Sequence, residues 1–135
     1  KEDKMVLTPT YYVFKMYNVH QDAKLVPLSL VSNDYEFKGD KVPAVNASSS
    51  IKDGVLSITL CNLNPNKAET VECSLDAKEY KVVGGKIINA KNLADYNDYG
   101  QAEKVNMQDF TVAKPKNGKL SIELPAHSVV LVQLQ

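Results

Sequence analysis

Short stretches of alternating apolar and polar residues make up most of the chain after residue 23. Clear examples are VLSITLCNL (55–63), GKLSIEL (118–124) and SVVLVQL (128–134). A period of two is typical of a β-strand with one buried face. The pairs Asp53-Gly54 and Asn117-Gly118 are strong turn signals. About eight or nine such strands predict an all-β fold, an antiparallel β-sandwich or jelly roll.

One predicted hairpin joins residues 55–63 to residues 69–75 through a turn at 64–67. A four-residue loop there pairs Ile58 with Cys73, which turns Cys73 inward and Cys61 to the opposite face. We therefore expect both cysteines to be free thiols, with Cys73 acting as a small buried hydrophobe. Unpaired thiols favour a reducing compartment, but cytoplasmic and exported locations both stay open.

Other local signals place an edge strand, a bulge and a loop. Pro27 marks residues 24–31 as an edge strand with Leu28 and Leu30 on one face. The pair Gly84-Gly85 interrupts a strand and predicts a bulge or sharp bend. Residues 90–101 are polar and irregular, and they predict the longest loop.

A helix is predicted ahead of the strands. Thr8 suits its N-cap and Pro9 its first position. Its apolar residues surround most of the circumference: Tyr11, Tyr12, Val13, Phe14, Met16, Tyr17 and Val19. A helix that is apolar on nearly all sides is buried on more than one side. Because the strands can cover only one side, we expect another surface to cover the rest.

Residue types argue against several functions. The chain has sixteen basic residues, none of them arginine, against sixteen acidic ones, which gives nucleic-acid binding little support. No apolar run approaches the ~20 residues that a membrane-spanning helix needs. Neither histidine has a nucleophile at motif spacing: His20 is expected to meet the last helix carbonyls, and His127 to hold a turn. Glu123 should face water, and we predict no catalytic residue, metal site or cofactor.

A sugar-binding surface is the alternative that the residues support. DYNDYG (95–100) places Tyr96 and Tyr99 in a polar loop. Exposed aromatic rings can stack on sugars, so these two tyrosines are the candidate substrate-binding residues. The signal is weak because the chain has no tryptophan.

Three motifs resemble α-L-arabinofuranosidases of glycoside hydrolase family 51. LTPTYYVFKMYNVHQDAKLVPLSL (7–30) is similar to the family's junction segment, the last helix of a catalytic (β/α)₈ barrel and its link to a C-terminal β-sandwich. ITLCNLNPNKAETVE (58–72) resembles that sandwich's N-L-x-P-x-x-A hairpin, and LPAHSVVLVQL (124–134) its closing strand. Residues 89–105 match the family poorly.

The resemblance implies a division into residues 1–23, the terminal barrel helix and junction, and residues 24–135, the sandwich. It implies a non-catalytic accessory domain of an enzyme that removes terminal α-L-arabinofuranosyl units from arabinan, arabinoxylan or arabino-oligosaccharides by a retaining mechanism. The two catalytic glutamates would lie on the barrel, since no position here matches their motifs. The implied partners are that barrel and other copies in a homo-oligomer. An independent carbohydrate-binding module and an adhesion-type sandwich are the competing hypotheses.

Overall fold

The computed structural model describes residues 3–76 and 79–135. Helix α1 spans Pro9–Tyr17 and continues as a 3₁₀ turn at Asn18–His20. Ten strands follow in the described residues: β1 Lys24–Leu25, β2 Asp34–Phe37, β3 Asp40–Pro43, β4 Val45–Lys52, β5 Val55–Asn62, β6 Glu69–Ser74, β7 Val82–Asn89, β8 Asn106–Asp109, β9 Lys119–Leu124 and β10 Val129–Leu134. The predicted mostly-β fold with one N-terminal helix is confirmed.

Two layers of antiparallel strands enclose the main core. One layer is a six-stranded sheet in the order β1-β4-β5-β10-β7-β8, and the smaller sheets are β2-β3 and β6-β9. Alternate residues of β9 point into this core, with Leu120, Ile122 and Leu124 almost fully buried. They pack against the inner faces of β5 and β10. Glu123 lies between them on the exposed face, as predicted.

The predicted hairpin between residues 55–63 and 69–75 is wrong. Strand β5 pairs with β4 and β10, while β6 crosses to the other layer and pairs with β9. The reason is visible in β5, where Leu56–Leu60 are all buried, so this strand lies inside the large sheet and is covered on both faces. The turn at Asp53-Gly54 makes the hairpin instead, joining β4 to β5 with positive φ at both residues.

The prediction of two free thiols is confirmed, although Cys73 is only half-buried and the register behind the prediction is wrong. Ile58 faces Ser49 and Val132, and Cys73 faces Leu120. Both thiols are free, and Cys73 packs against the main core. Burial raises the pKa of Cys61 and of Cys73, which lowers their reactivity as thiolates.

The remaining local predictions hold in part. The edge strand is only Lys24–Leu25, because residues from Pro27 onward leave the sheet; Leu30 packs on the core and Leu28 does not. The bulge lies at Val83, since Val82 faces Leu134 and Gly84 faces Gln133.

The predicted turn at Asn117-Gly118 is present, with positive φ at both residues. It connects Lys116 to Lys119 and does not pair β8 with β9.

Candidate docking face

Helix α1 lies on the outer face of the six-stranded sheet and covers a second, smaller core. Thr8 caps it as predicted, its Oγ1 accepting a hydrogen bond from the Tyr11 amide at 3.2 Å, and Pro9 takes the first position. Tyr12 and Met16 turn inward and pack with Ile88 of β7, Leu131 of β10 and Val105, which directly precedes β8. This packing fixes the helix on the sandwich by one face.

The opposite face of α1 is bare. The side chain of Phe14 is 75% exposed and that of Tyr11 is 43% exposed. The sandwich therefore covers one side of the helix, as the residue pattern predicted. What remains is a capped helix that presents aromatic rings to solvent.

His20 attaches the end of the helical segment to the sheet. Its Nδ1 lies 2.6 Å from Ser50 Oγ and its Nε2 lies 2.9 Å from Thr59 Oγ1. Tyr17 packs edge-on against the ring. The predicted interaction with helix carbonyls is wrong, because the ring points at hydroxyls buried on β4 and β5. A neutral imidazole suits this place: one nitrogen donates, the other accepts, and hydroxyls do either.

Acidification is expected to weaken this attachment. Burial lowers the pKa of His20 from its ordinary value of 6.5, so the unfolded chain binds the proton first as pH falls. The contribution of His20 to stability is complete above about pH 6.5 and is lost as pH falls through the folded-state pKa.

Urea unfolding at about pH 7.5 and about pH 5.5 should show a larger loss of stability in the wild type than in His20→Gln. The glutamine amide keeps both polar contacts without titrating. Equal losses in the two proteins would contradict this role for His20.

The loop of residues 91–104, here called the tyrosine loop, is fastened to the helix. The Tyr12 hydroxyl donates to the Glu103 carboxylate, whose two oxygens each lie 2.8 Å away. This hydrogen bond raises the pKa of Tyr12. The Asn97 side chain donates to the carbonyls of Leu7 and Val105 and accepts from two amides of the loop's end. The loop is irregular, as predicted, but well anchored.

The two candidate tyrosines sit in this loop without sharing one site. Tyr96 is 62% exposed, with the Lys104 ammonium 5.9 Å from its ring centroid, and Tyr99 is 47% exposed. A shallow cavity of about 230 Å³ beside residues 4–7 is lined by Tyr99 and not by Tyr96. The role of Tyr96 and Tyr99 in sugar binding stays a prediction.

His127 holds loops together. Its ring nitrogens lie 3.1 Å from the Pro65 carbonyl and 3.0 Å from the Ala90 carbonyl. Its amide donates to the Asn64 carbonyl, and its φ is 44°. The predicted structural role of His127 in a turn is confirmed.

Asn62 is the polar residue that sequence reasoning missed. It is 2% exposed, and its Nδ2 lies 2.9 Å, 3.1 Å and 2.9 Å from the carbonyls of Lys67, Leu124 and Pro125. Its Oδ1 accepts from the Asn64 amide at 2.9 Å. An asparagine at the last position of a buried strand, close to a turn, is a signal that could have indicated it.

The described residues hold no group of three or more His, Cys, Asp or Glu side chains suited to a metal ion. None of the helices in that part of the chain has the length and apolar content to cross a bilayer.

Residues 1–128 match the family described as "Alpha-L-arabinofuranosidase C-terminal domain". An intracellular exo-alpha-L-arabinofuranosidase of Bacteroides ovatus is 39% identical over 137 residues, covering 100% of this chain and 27% of that protein. The crystal structure of the GH51 arabinofuranosidase from Xanthomonas axonopodis pv. citri aligns at TM-score 0.94 and 39% identity. That match covers 100% of this chain and 28% of that one.

More distant structures share the fold alone. An α-L-arabinofuranosidase of Thermotoga maritima aligns at TM-score 0.82 and 17% identity, over 98% of this chain and 30% of that one. This chain thus spans less than a third of the length of the proteins that it resembles, and it matches their C-terminal part.

Proposed function

The chain belongs to the α-L-arabinofuranosidase C-terminal domain family and is the C-terminal domain of a glycoside hydrolase family 51 enzyme; from this premise we propose that it is a non-catalytic accessory domain. In this proposal residues 1–23 form the terminal helix of a catalytic (β/α)₈ barrel and the junction, and residues 24–135 form the sandwich. The domain packs on the barrel of the same protein through the bare face of α1.

The exposure of Phe14 carries the proposal. An exposed apolar ring on a helix, opposite a face that is already buried, is the arrangement expected of an interface. Tyr11 extends the same surface, and its ring contacts that of Tyr12 edge-on with centroids 5.2 Å apart. Burying both rings against a second domain would complete the helix's surroundings.

The reaction proposed for the whole enzyme is the release of terminal α-L-arabinofuranosyl units from arabinan, arabinoxylan or arabino-oligosaccharides. The relative in Bacteroides ovatus, named an exo-alpha-L-arabinofuranosidase, supports this. A retaining mechanism needs two carboxyl groups about 5 Å apart across a cleft. We assign both to the barrel, because no position of this chain matches either catalytic motif.

Phe14→Asp in the full-length enzyme tests the docking role. A carboxylate buried without a partner against the barrel should destabilise the enzyme by roughly 3 kcal/mol or more. The rate of hydrolysis of an aryl arabinofuranoside should fall together with the stability, although the substitution lies outside the active site. Thermal unfolding and activity are measured together.

The matched control is Phe37→Asp, since Phe37 is an exposed phenylalanine of the β2-β3 hairpin. It should change neither quantity appreciably. If Phe14→Asp behaves like Phe37→Asp, the bare face of α1 does not dock on the barrel. Light scattering of the same proteins reports whether contacts between copies, which the family resemblance implies, are lost as well.

An independent carbohydrate-binding module is the second candidate, and the exposed ring of Tyr96 favours it. Titration of the domain with arabino-oligosaccharides, with Tyr96→Ala and Tyr99→Ala as controls, distinguishes the two. Saturable binding that both substitutions weaken would establish the module. The absence of binding would remove the two tyrosines as substrate-binding residues.

A further inference from the structure

The turn that leads into β9 carries a pair of residues that the proposed function does not use. Asn117-Gly118 is the one Asn-Gly pair in the sequence, and Asn117 is exposed. Within the part of the chain that the structure describes, the side chain of Asn117 makes no hydrogen bond, and neither does the amide of Gly118. A side-chain amide and the next backbone nitrogen therefore lie side by side in contact with water.

These two groups can react with each other. The Gly118 nitrogen gives up its proton and attacks the side-chain carbonyl carbon of Asn117, so that a C–N bond forms and the side-chain nitrogen leaves as ammonia. Water then opens the cyclic imide at either carbonyl, which yields aspartate or isoaspartate. In isoaspartate the main chain runs through the side-chain carbons. Glycine favours the attack because it places no Cβ beside the reacting nitrogen.

The closed turn delays this reaction. Asn117 and Gly118 have φ of 51° and 70°, the left-handed conformation of a two-residue hairpin turn. Two hydrogen bonds close it: the Lys116 amide donates to the Lys119 carbonyl at 2.8 Å, and the Lys119 amide donates to the Lys116 carbonyl at 2.9 Å. Closing the imide ring rotates the main chain of Asn117 that these bonds hold. The reaction therefore requires the turn to open, which is a local event at the surface.

We propose that Asn117 is a site of spontaneous modification: when the turn opens, Asn117 is converted to aspartate or isoaspartate, and isoaspartate keeps the turn from closing again. Isoaspartate adds a carbon to the main chain between Lys116 and Lys119, so this pair cannot keep both of its hydrogen bonds. The Gly118 carbonyl, which accepts from the Leu75 amide at 2.7 Å, moves with it. Leu120, which is fully buried, follows directly, so the disturbance reaches the start of β9 and the main core.

The turn between β4 and β5 separates the effect of the new charge from the effect of the added carbon. Asp53 and Gly54 have φ of 51° and 78°, close to the values in the Asn117-Gly118 turn, and their hairpin is closed. An aspartate at the first position of such a turn is therefore compatible with the closed form. Asn117→Asp should fold like the wild type, and only isoaspartate should disturb the turn.

Prolonged incubation of the full-length enzyme in warm buffer tests the modification. Peptide mapping by mass spectrometry should show conversion of the Asn117 amide to a carboxylate, and an isoaspartyl methyltransferase should label the product. Asn66 is the internal control, because it is also exposed but is followed by Lys67, and it should stay unmodified. A synthetic peptide of residues 114–120 should react about tenfold or more faster than the enzyme, because no folded turn protects the pair.

Hydrogen exchange in the full-length enzyme tests the consequence for β9. After incubation, the amides of Lys119–Leu124 should exchange faster in the wild type than in Asn117→Gly. Glycine at position 117 suits the positive φ and has no side chain to react, so this variant keeps the turn. Asn117→Asp, measured before incubation, should exchange like the unmodified wild type.

Three results would overturn the proposal. An unchanged Asn117 in the enzyme, at a time when the peptide has reacted completely, would remove it as a modification site. Reaction of Asn66 as fast as that of Asn117 would show that the glycine does not select the site. Equal exchange of β9 in the incubated wild type and in Asn117→Gly would show that isoaspartate does not hold the turn open.

Discussion

Asn62→Ala is expected to destabilise the domain by about 3–5 kcal/mol. The substitution leaves the carbonyls of Lys67, Leu124 and Pro125 without the amide that they share, and the Asn64 amide without its acceptor. Each buried polar group left unpaired costs about 1–3 kcal/mol. These hydrogen bonds belong to one network that joins two loops, so their contributions to stability are cooperative.

Asn92→Ala is the matched control. The Asn92 side chain bonds to Asp95 at the exposed surface, where water can replace it. Its loss should cost less than about 1 kcal/mol. Urea unfolding of both variants checks the difference. Equal midpoints would show that the Asn62 network adds little beyond an ordinary surface contact.

Gly85→Ala is expected to destabilise the domain by about 3 kcal/mol. A Cβ at Gly85 would lie 2.2 Å from the Phe110 carbonyl oxygen and 3.2 Å from Val112 Cγ2. The first neighbour is backbone, and Phe110 is held in place because its amide donates to the Gly85 carbonyl at 3.0 Å. Relieving the clash therefore requires a shift of the segment that contains Phe110 and Val112, both of which pack on the main core.

Gly84→Ala tests the same change one residue earlier. There the nearest atom is Gln133 Oε1 at 3.1 Å, the far end of a flexible side chain that can rotate away. The cost should stay below about 1 kcal/mol. If the two alanine variants unfold at the same denaturant concentration, the close approach of Phe110 does not explain the glycine.

Structural features that depend only on neighbouring residues could be predicted from the sequence. The cap at Thr8 and the positive φ at Asp53-Gly54 are of this kind. The pairing of β5 with β10 could not be predicted, because alternation reveals the period of a strand and not its distant partner. On the side opposite β4, β5 pairs with β10, which lies about 70 residues further along the chain.

The same limit applies to the docking face. The residue pattern showed that α1 needs two covering surfaces, and the exposure of Phe14 agrees. The attachments of the helical segment were hidden because they join distant residues: Tyr12 to Glu103 and His20 to Thr59. Such contacts follow from the assembled sheet and from no local spacing.

The central position of β10 has a consequence for biosynthesis. Within the residues that the structure describes, β5 and β7 are joined only through Val129–Leu134, which lie between them in the six-stranded sheet. Translation must therefore proceed through residue 134 before the two halves of the sheet can pair. Until β10 is synthesised, the apolar faces of the earlier strands stay uncovered. Pairing between strands so far apart in sequence is typical of slow-folding domains. A chain that terminates before β10 lacks the strand that joins the two halves of the sheet, so we expect it to expose their apolar faces.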